Sequence, residues 1–296
     1  MAAPPALPGT CVLEDAAVRA EIAPQGAEPT SLRLLDRDVE FLWQGDPAYW
    51  GRQAPLLFPI VGRLHGDRYT WMEREYHLPQ HGFARDLVFR LIGRGGAWAT
   101  FELRESDETL ENYPFEFRLA VTHRVAGGSL RTSMTVDNPG DEPLPFSIGA
   151  HPGFRCPLRA GEALDAYTVR FEEPETADRL IVEDGLIGAE SEPFLRGERE
   201  VRLSDTLFDR GALVFSGLRS DRVRLAGPGG SGVELTFTGF PYFGIWSKPG
   251  APFVCLEPWC GIADRAGHDG DLAAKEGLIW LPPGGRFARE ISIRPL

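Results

Sequence analysis

At 296 residues, 43% hydrophobic and 25% charged, the chain carries enough apolar material for a sizeable core and has the composition of a globular protein. Its formal charge of −12 and its lack of any basic concentration argue against nucleic acid and anionic membrane as partners. No run approaches the roughly 18 apolar residues of a membrane-crossing helix, and the opening MAAPPALPGTC lacks the positive flank and apolar core of a signal peptide, so the expectation is a soluble, cytoplasmic protein.

The 34 glycines and 25 prolines are spread along the whole sequence and predict many turns between short elements. Residues 47–52 are a short helix candidate. Residues 115–125 (FEFRLAVTHRV) alternate, with Phe115, Phe117, Leu119, Val121, His123 and Val125 on one face, and predict a strand. The Ala126-Gly127-Gly128-Ser129 turn closes a hairpin onto residues 129–136, where Leu130, Met134 and Val136 share a side. The next stretch, 137–142 (DNPGDE), reads as a connection inside one sheet system. Residues 223–225 and 233–237 flank a Gly-rich turn at 227–232, and a last strand at 279–281 follows a short helix candidate at 273–277. No 15-residue window sustains a helical period.

Short strands bounded by Gly, Pro and Asp clusters predict an all-β sandwich or barrel. Without repeats, low-complexity segments or a linker, residues 1–296 read as one domain. The four cysteines (Cys11, Cys156, Cys255, Cys260) lack the paired spacing of a zinc site and predict free thiols.

Three segments mix Gly, Pro and ionisable residues at the ends of apolar runs. They are residues 56–64 (LLFPIVGRL) with 79–86 (PQHGFARD), residues 146–154 (FSIGAHPGF) and residues 253–259 (FVCLEPW). His151 and Glu257 each precede a proline, which disfavours helical backbone, so each is expected to end a strand with a fixed side-chain direction. Alternation puts Ser147, Gly149 and His151 on one face, the predicted floor of a polar site, and Glu257 on the side of Cys255. Facing one another, an imidazole and a carboxylate form an acid–base pair for chemistry near neutral pH. Taken singly, a histidine in a β protein is ordinarily a satisfied core or surface residue, so the inference rests on the combination.

The run FPIVGRL, the HGFAR of 81–85, the GAHPGF of 149–154 and the CLEPW of 255–259, in that order, resemble the aldose 1-epimerase (galactose mutarotase) superfamily, in its LacX-like branch. The resemblance implies a large antiparallel β-supersandwich with an open cleft. It implies that Glu257 removes the proton from the anomeric hydroxyl of an aldohexose and that His151 protonates the ring oxygen. His81 and Arg63 would bind sugar hydroxyls, and Trp246 would lie near the sugar. The acid that grips a hydroxyl in the family is expected at Gly211, and Asp209, two residues earlier, substitutes for it if both lie on one strand face. Two proton transfers need no cofactor and no metal. The expected partner is a small sugar, and the protein acts as a monomer or homodimer.

Four other readings compete. A hexose-6-phosphate epimerase would draw on Arg85, Arg52 and Lys248 as a basic rim. A sugar-binding protein without catalysis would use the same fold. A glycosidase needs two carboxylates, and only Glu257 has a distinctive setting. A metal site would use His81, His151 and Glu257.

Overall fold

The period-two runs become antiparallel strands in the computed structural model, which describes residues 9–37 and 39–296. Residues 1–8, on which the leader expectation partly rests, lie outside the described residues. Among the described residues a four-stranded sheet (Cys11–Glu14, Val18–Ile22, Pro29–Leu34, Val39–Glu40) packs against a sheet of fifteen strands. One stretch of the large sheet runs in the order Leu56–Leu57, Ile148–Ala150, Phe253–Cys260, Tyr242–Trp246, Leu213–Ser216, Thr168–Glu183. It continues through Arg222–Ala226, Gly232–Thr236, Arg286–Pro295, Ser129–Asp137, Arg118–Ala126, Trp98–Arg104 and Arg90–Arg94. This is an all-β sandwich of antiparallel strands. No helix among the described residues is long and apolar enough to cross a membrane.

Alternation explains how the layers meet. In Arg118–Ala126 the residues Leu119, Val121, His123 and Val125 are buried, while those between them are partly or fully exposed. Leu119 and Val121 stand opposite Val136 and Met134 of the next strand, so both strands present one apolar face to the core. Buried His123 is satisfied: Nε2 lies 2.8 Å from the carbonyl of Ala27 and Nδ1 lies 3.0 Å from Thr132 Oγ1. Both predicted turns close hairpins, pairing Ala126 with Ser129 and Ala226 with Gly232.

Several local expectations are corrected. Phe115 and Phe117 are buried, but the ladder begins only at Arg118. Residues 137–142 do not stay inside one sheet, because they lead to Leu144–Phe146, which pairs with Ile279–Leu281 as a separate two-stranded sheet. Residues 47–52 form turns, with the Asp46 carboxylate accepting from the Ala48 amide (2.9 Å). Residues 273–277 give way to a single 3-10 turn at Leu272–Ala274. The one α-helix among the described residues, Asp107–Asn112, was missed in the sequence; Ser106 Oγ accepts from the Thr109 amide and Thr109 Oγ1 from the Ser106 amide. The four cysteines are buried and unpaired.

Candidate active site

Glu257 projects from the middle of Phe253–Cys260, not from its end. The reason lies on the neighbouring edge, where the chain Ile148–Ala150 breaks at His151 and Pro152 before resuming as Gly153–Arg155. The Leu256 amide donates into that break, to the carbonyl of Pro152 (3.2 Å). Two residues on, the nitrogen of Pro258 faces the same way, where its missing N–H costs no ladder bond. One break therefore admits Pro258 into a strand and puts His151 beside Glu257. His151 Nε2 lies 3.0 Å from Glu257 Oε2, with the residues 7% and 2% exposed.

The predicted floor of Ser147, Gly149 and His151 is not what lines the cavity. A Cβ on Gly149 would lie 2.7 Å from Trp259 Cδ1, so the indole covers that position. Ser147 is fully buried against Gly261, where a Cβ would lie 2.3 Å from its hydroxyl. Of the three, His151 alone opens onto the cavity of about 400 Å³.

Two indoles flank His151. Trp50 stacks on it (centroids 4.9 Å apart, 29° between planes), and Trp246 meets it edge-on at 5.8 Å. Sequence reading missed Trp50, which lies in a turn with no periodic signal. Its place is set by the Trp43 indole N–H, which donates to the Trp50 carbonyl (2.7 Å). The half-buried Glu28 carboxylate pins the next residues by accepting from the Gln53 and Ala54 amides (2.8 and 2.7 Å).

His81 enters from a loop whose glycines are structural. The His81 amide donates to the Gly62 carbonyl (2.8 Å), and the Gly62 amide donates to His81 Nδ1 (3.1 Å). His81 itself has φ of 68°, and Gly82 has φ of 69°, with room for no Cβ: one would lie 2.3 Å from the Phe58 carbonyl oxygen. Nδ1 acts as acceptor, so the neutral ring carries its proton on Nε2. Burial, then His151, Arg85 and Arg52, hold the His81 pKa well below the ordinary histidine value. His81 is thus a neutral donor.

Arg85 also lines the cavity. Its Nη2 donates to the Gln80 carbonyl, its Nε makes no hydrogen bond and lies 3.8 Å from the Asp86 carboxylate, and burial pushes its pKa down to about 10. The other members of the expected basic rim lie elsewhere. Arg52 pairs with Asp86 (2.9 Å) and Lys248 donates to the Ala48 carbonyl (3.3 Å).

Arg63 does not line the cavity. Its Nε and Nη2 each lie 2.9 Å from the Asp67 carboxylate, and Nη1 reaches the Asp184 carbonyl (3.3 Å), so it ties its own turn to the one carrying Gly185. The same-face argument for Asp209 fails because residues 205–210 form turns, not a strand, and leave Asp209 exposed outside the cavity. Gly211 and Ala212 line the wall there. A compact set of metal-capable side chains does exist, but it is His151, Cys255 and Glu257 rather than the set with His81. Burial and Glu257 raise the Cys255 pKa well above its ordinary value, so the thiol keeps its proton and is a poor ligand.

The family profile described as Aldose 1-epimerase matches residues 10–294. The plasmid-encoded Protein LacX of Lactococcus lactis subsp. lactis is 36% identical over 250 residues, which is 80% of this chain and 83% of the relative. A galactose mutarotase related enzyme from Lactobacillus acidophilus superposes with a TM-score of 0.92 at 35% identity, covering 97% of each chain. A galactose mutarotase-like protein from Lactobacillus casei gives 0.92 at 31% identity, covering 97% of this chain and 100% of the other. Joined by the order of the four motifs and the sandwich that carries them, these matches make the chain a member of the aldose 1-epimerase family.

Proposed function

We propose that the protein interconverts the α and β anomers of an aldose by acid–base ring opening and closure. The observation that carries this reading is the 3.0 Å contact between His151 Nε2 and Glu257 Oε2 at the inner end of a sugar-sized cavity. Glu257 takes the proton of the anomeric hydroxyl while His151 delivers one to the ring oxygen; the C1–O5 bond opens to a carbonyl and a hydroxyl. Rotation of the carbonyl end and reversal of both transfers give the other anomer, so each group ends in its starting state. His81 donates from Nε2 to a sugar oxygen, and the Trp50 and Trp246 rings receive the C–H surface of the ring.

Anomer exchange measured by NMR or polarimetry tests the reading. Glu257→Gln and His151→Ala should each cut turnover by about 10²–10⁴ while leaving the folded spectrum intact. Exchange that stays at the uncatalysed rate in both the parent and Glu257→Gln would instead support a sugar-binding protein without catalysis. A second reading, an anomer of a phosphorylated hexose, is favoured by Arg85, a cation among the residues that line the cavity. Comparing glucose with glucose 6-phosphate in the parent and in Arg85→Gln separates the two.

A further inference from the structure

We infer that the preferred substrates are deoxy sugars, or sugars apolar at a position remote from the anomeric carbon, rather than fully hydroxylated hexoses. The inference rests on the anomer-interconverting reading above and adds the substrate class.

The cavity has two unlike halves. One carries Gln80, His81, Arg85, His151 and Glu257. The other is aliphatic, lined by Val182, Ile187, Ala212, Val214, Ile262 and Ala263. These six belong to, or pack against, one apolar cluster that also holds Trp259 and is separate from the main core. The backbone of this wall is already engaged. The Gly211 and Ala212 carbonyls accept from Arg179 Nη2 (3.3 Å each), Ile262 from Lys275 Nζ (2.7 Å) and Ile187 from the Ala266 amide (2.8 Å). Arg179 and Lys275 are each 5% exposed, so these are internal cations that bind the wall together and do not face a ligand.

Strand pairing places the two halves. Glu257, Gly244, Val214 and Leu180 are successive partners across four neighbouring strands. Val214 thus stands two strand spacings, about 10 Å, from Glu257. The Trp259 indole covers Gly244 between them: a Cβ there would lie 2.7 Å from its Cη2. A ring with its anomeric carbon at Glu257 and His151 extends its far side over Trp259 towards Val214 and Ala212. A hydroxyl placed there gives up water and meets aliphatic side chains and engaged carbonyls, and the Trp259 indole N–H, though without a partner, is itself closed off by burial, whereas a methylene or methyl gains contact. The C–H surface common to all pyranoses does not call for this second wall, because Trp50 and Trp246 already flank His151.

Anomer exchange by NMR is measured on the full chain with glucose, galactose and their 3-, 4- and 6-deoxy analogues. At least one analogue should exceed its parent in kcat/KM by about tenfold to a hundredfold, the range in which an apolar pocket rejects an added hydroxyl. Val182→Thr, isosteric and at a half-buried position, should shrink that preference by roughly threefold or more. Ala212→Ser serves the same purpose should Val182→Thr misfold. Hexoses that turn over as well as every deoxy analogue overturn the inference and leave the proposed activity standing. A preference that neither variant moves overturns its assignment to this wall. Exchange of no sugar overturns both the inference and the activity.

Discussion

The Gly62 amide fixes Nδ1 of His81 as an acceptor, and burial beside His151, Arg85 and Arg52 keeps the ring neutral well below the ordinary histidine range. His81 is therefore a donor whose state does not change across the working pH range. His81→Gln should lower kcat/KM by about tenfold to a hundredfold, the worth of one well-placed donor. Because the folded pKa is depressed, the parent-to-variant ratio should stay level from pH 5.5 to 8. A ratio that falls as pH drops through 6.5 would show that His81 titrates there and would remove it from this role. Trp50 acts differently: it lines the cavity while stacked on His151 and Phe253. Trp50→Leu should raise KM about threefold to tenfold, the value of an aromatic contact, and move kcat less. Titrating sugar binding and turnover in the same variant checks the split.

At the scale of the element, the loop holding His81 depends on one glycine. Gly82 combines φ of 69° with a carbonyl where a Cβ would go, so Gly82→Ala is strained both by conformation and by contact. It should cost about 2–3 kcal/mol, lower Tm by roughly 3–5 °C and loosen His81. Thermal melts of the two proteins decide it, and an unchanged midpoint would contradict the loop geometry. Elements of this kind were legible in the sequence where local chemistry specifies them. The Gly127-Gly128 turn and the period-two run after it became the hairpin expected of them. The pre-proline settings of His151 and Glu257 pointed to two residues that the fold brings within 3.0 Å of each other. What stayed hidden depends on partners distant in sequence. Pro258 read as a strand end because the break that accommodates it lies about a hundred residues away, at His151 and Pro152. Asp209 was placed by counting along a strand, but the turns at 205–210 reset the count. Val182 and Val214 alternate like any core residue, and only the assembled sheet shows that they face a cavity.

Across the whole molecule, buried titratable groups set opposing pH dependences. His123 is enclosed in the core between Thr132 and the Ala27 carbonyl, and burial pushes its pKa down to about 4. A histidine depressed in the folded state contributes stability that is complete above its unfolded pKa of about 6.5 and is lost as pH falls towards the folded value. His81, also depressed, acts in the same sense. Glu28 and Glu40 act in the opposite one: burial raises their pKa values, so the cost of keeping them charged is relieved as pH falls. The profile of the parent mixes these terms, and a single-site comparison isolates one. Between pH 7.5 and 4.5 His123 alone should cost about 2.5 kcal/mol. His123→Gln, which keeps a polar group near Thr132 and Ala27 but cannot take up the proton, should be less stable than the parent at pH 7.5. It should also lose about 2.5 kcal/mol less on acidification. Urea unfolding of both proteins at the two pH values measures the difference, and equal losses would mean that His123 titrates alike in the folded and unfolded chains, contrary to its burial.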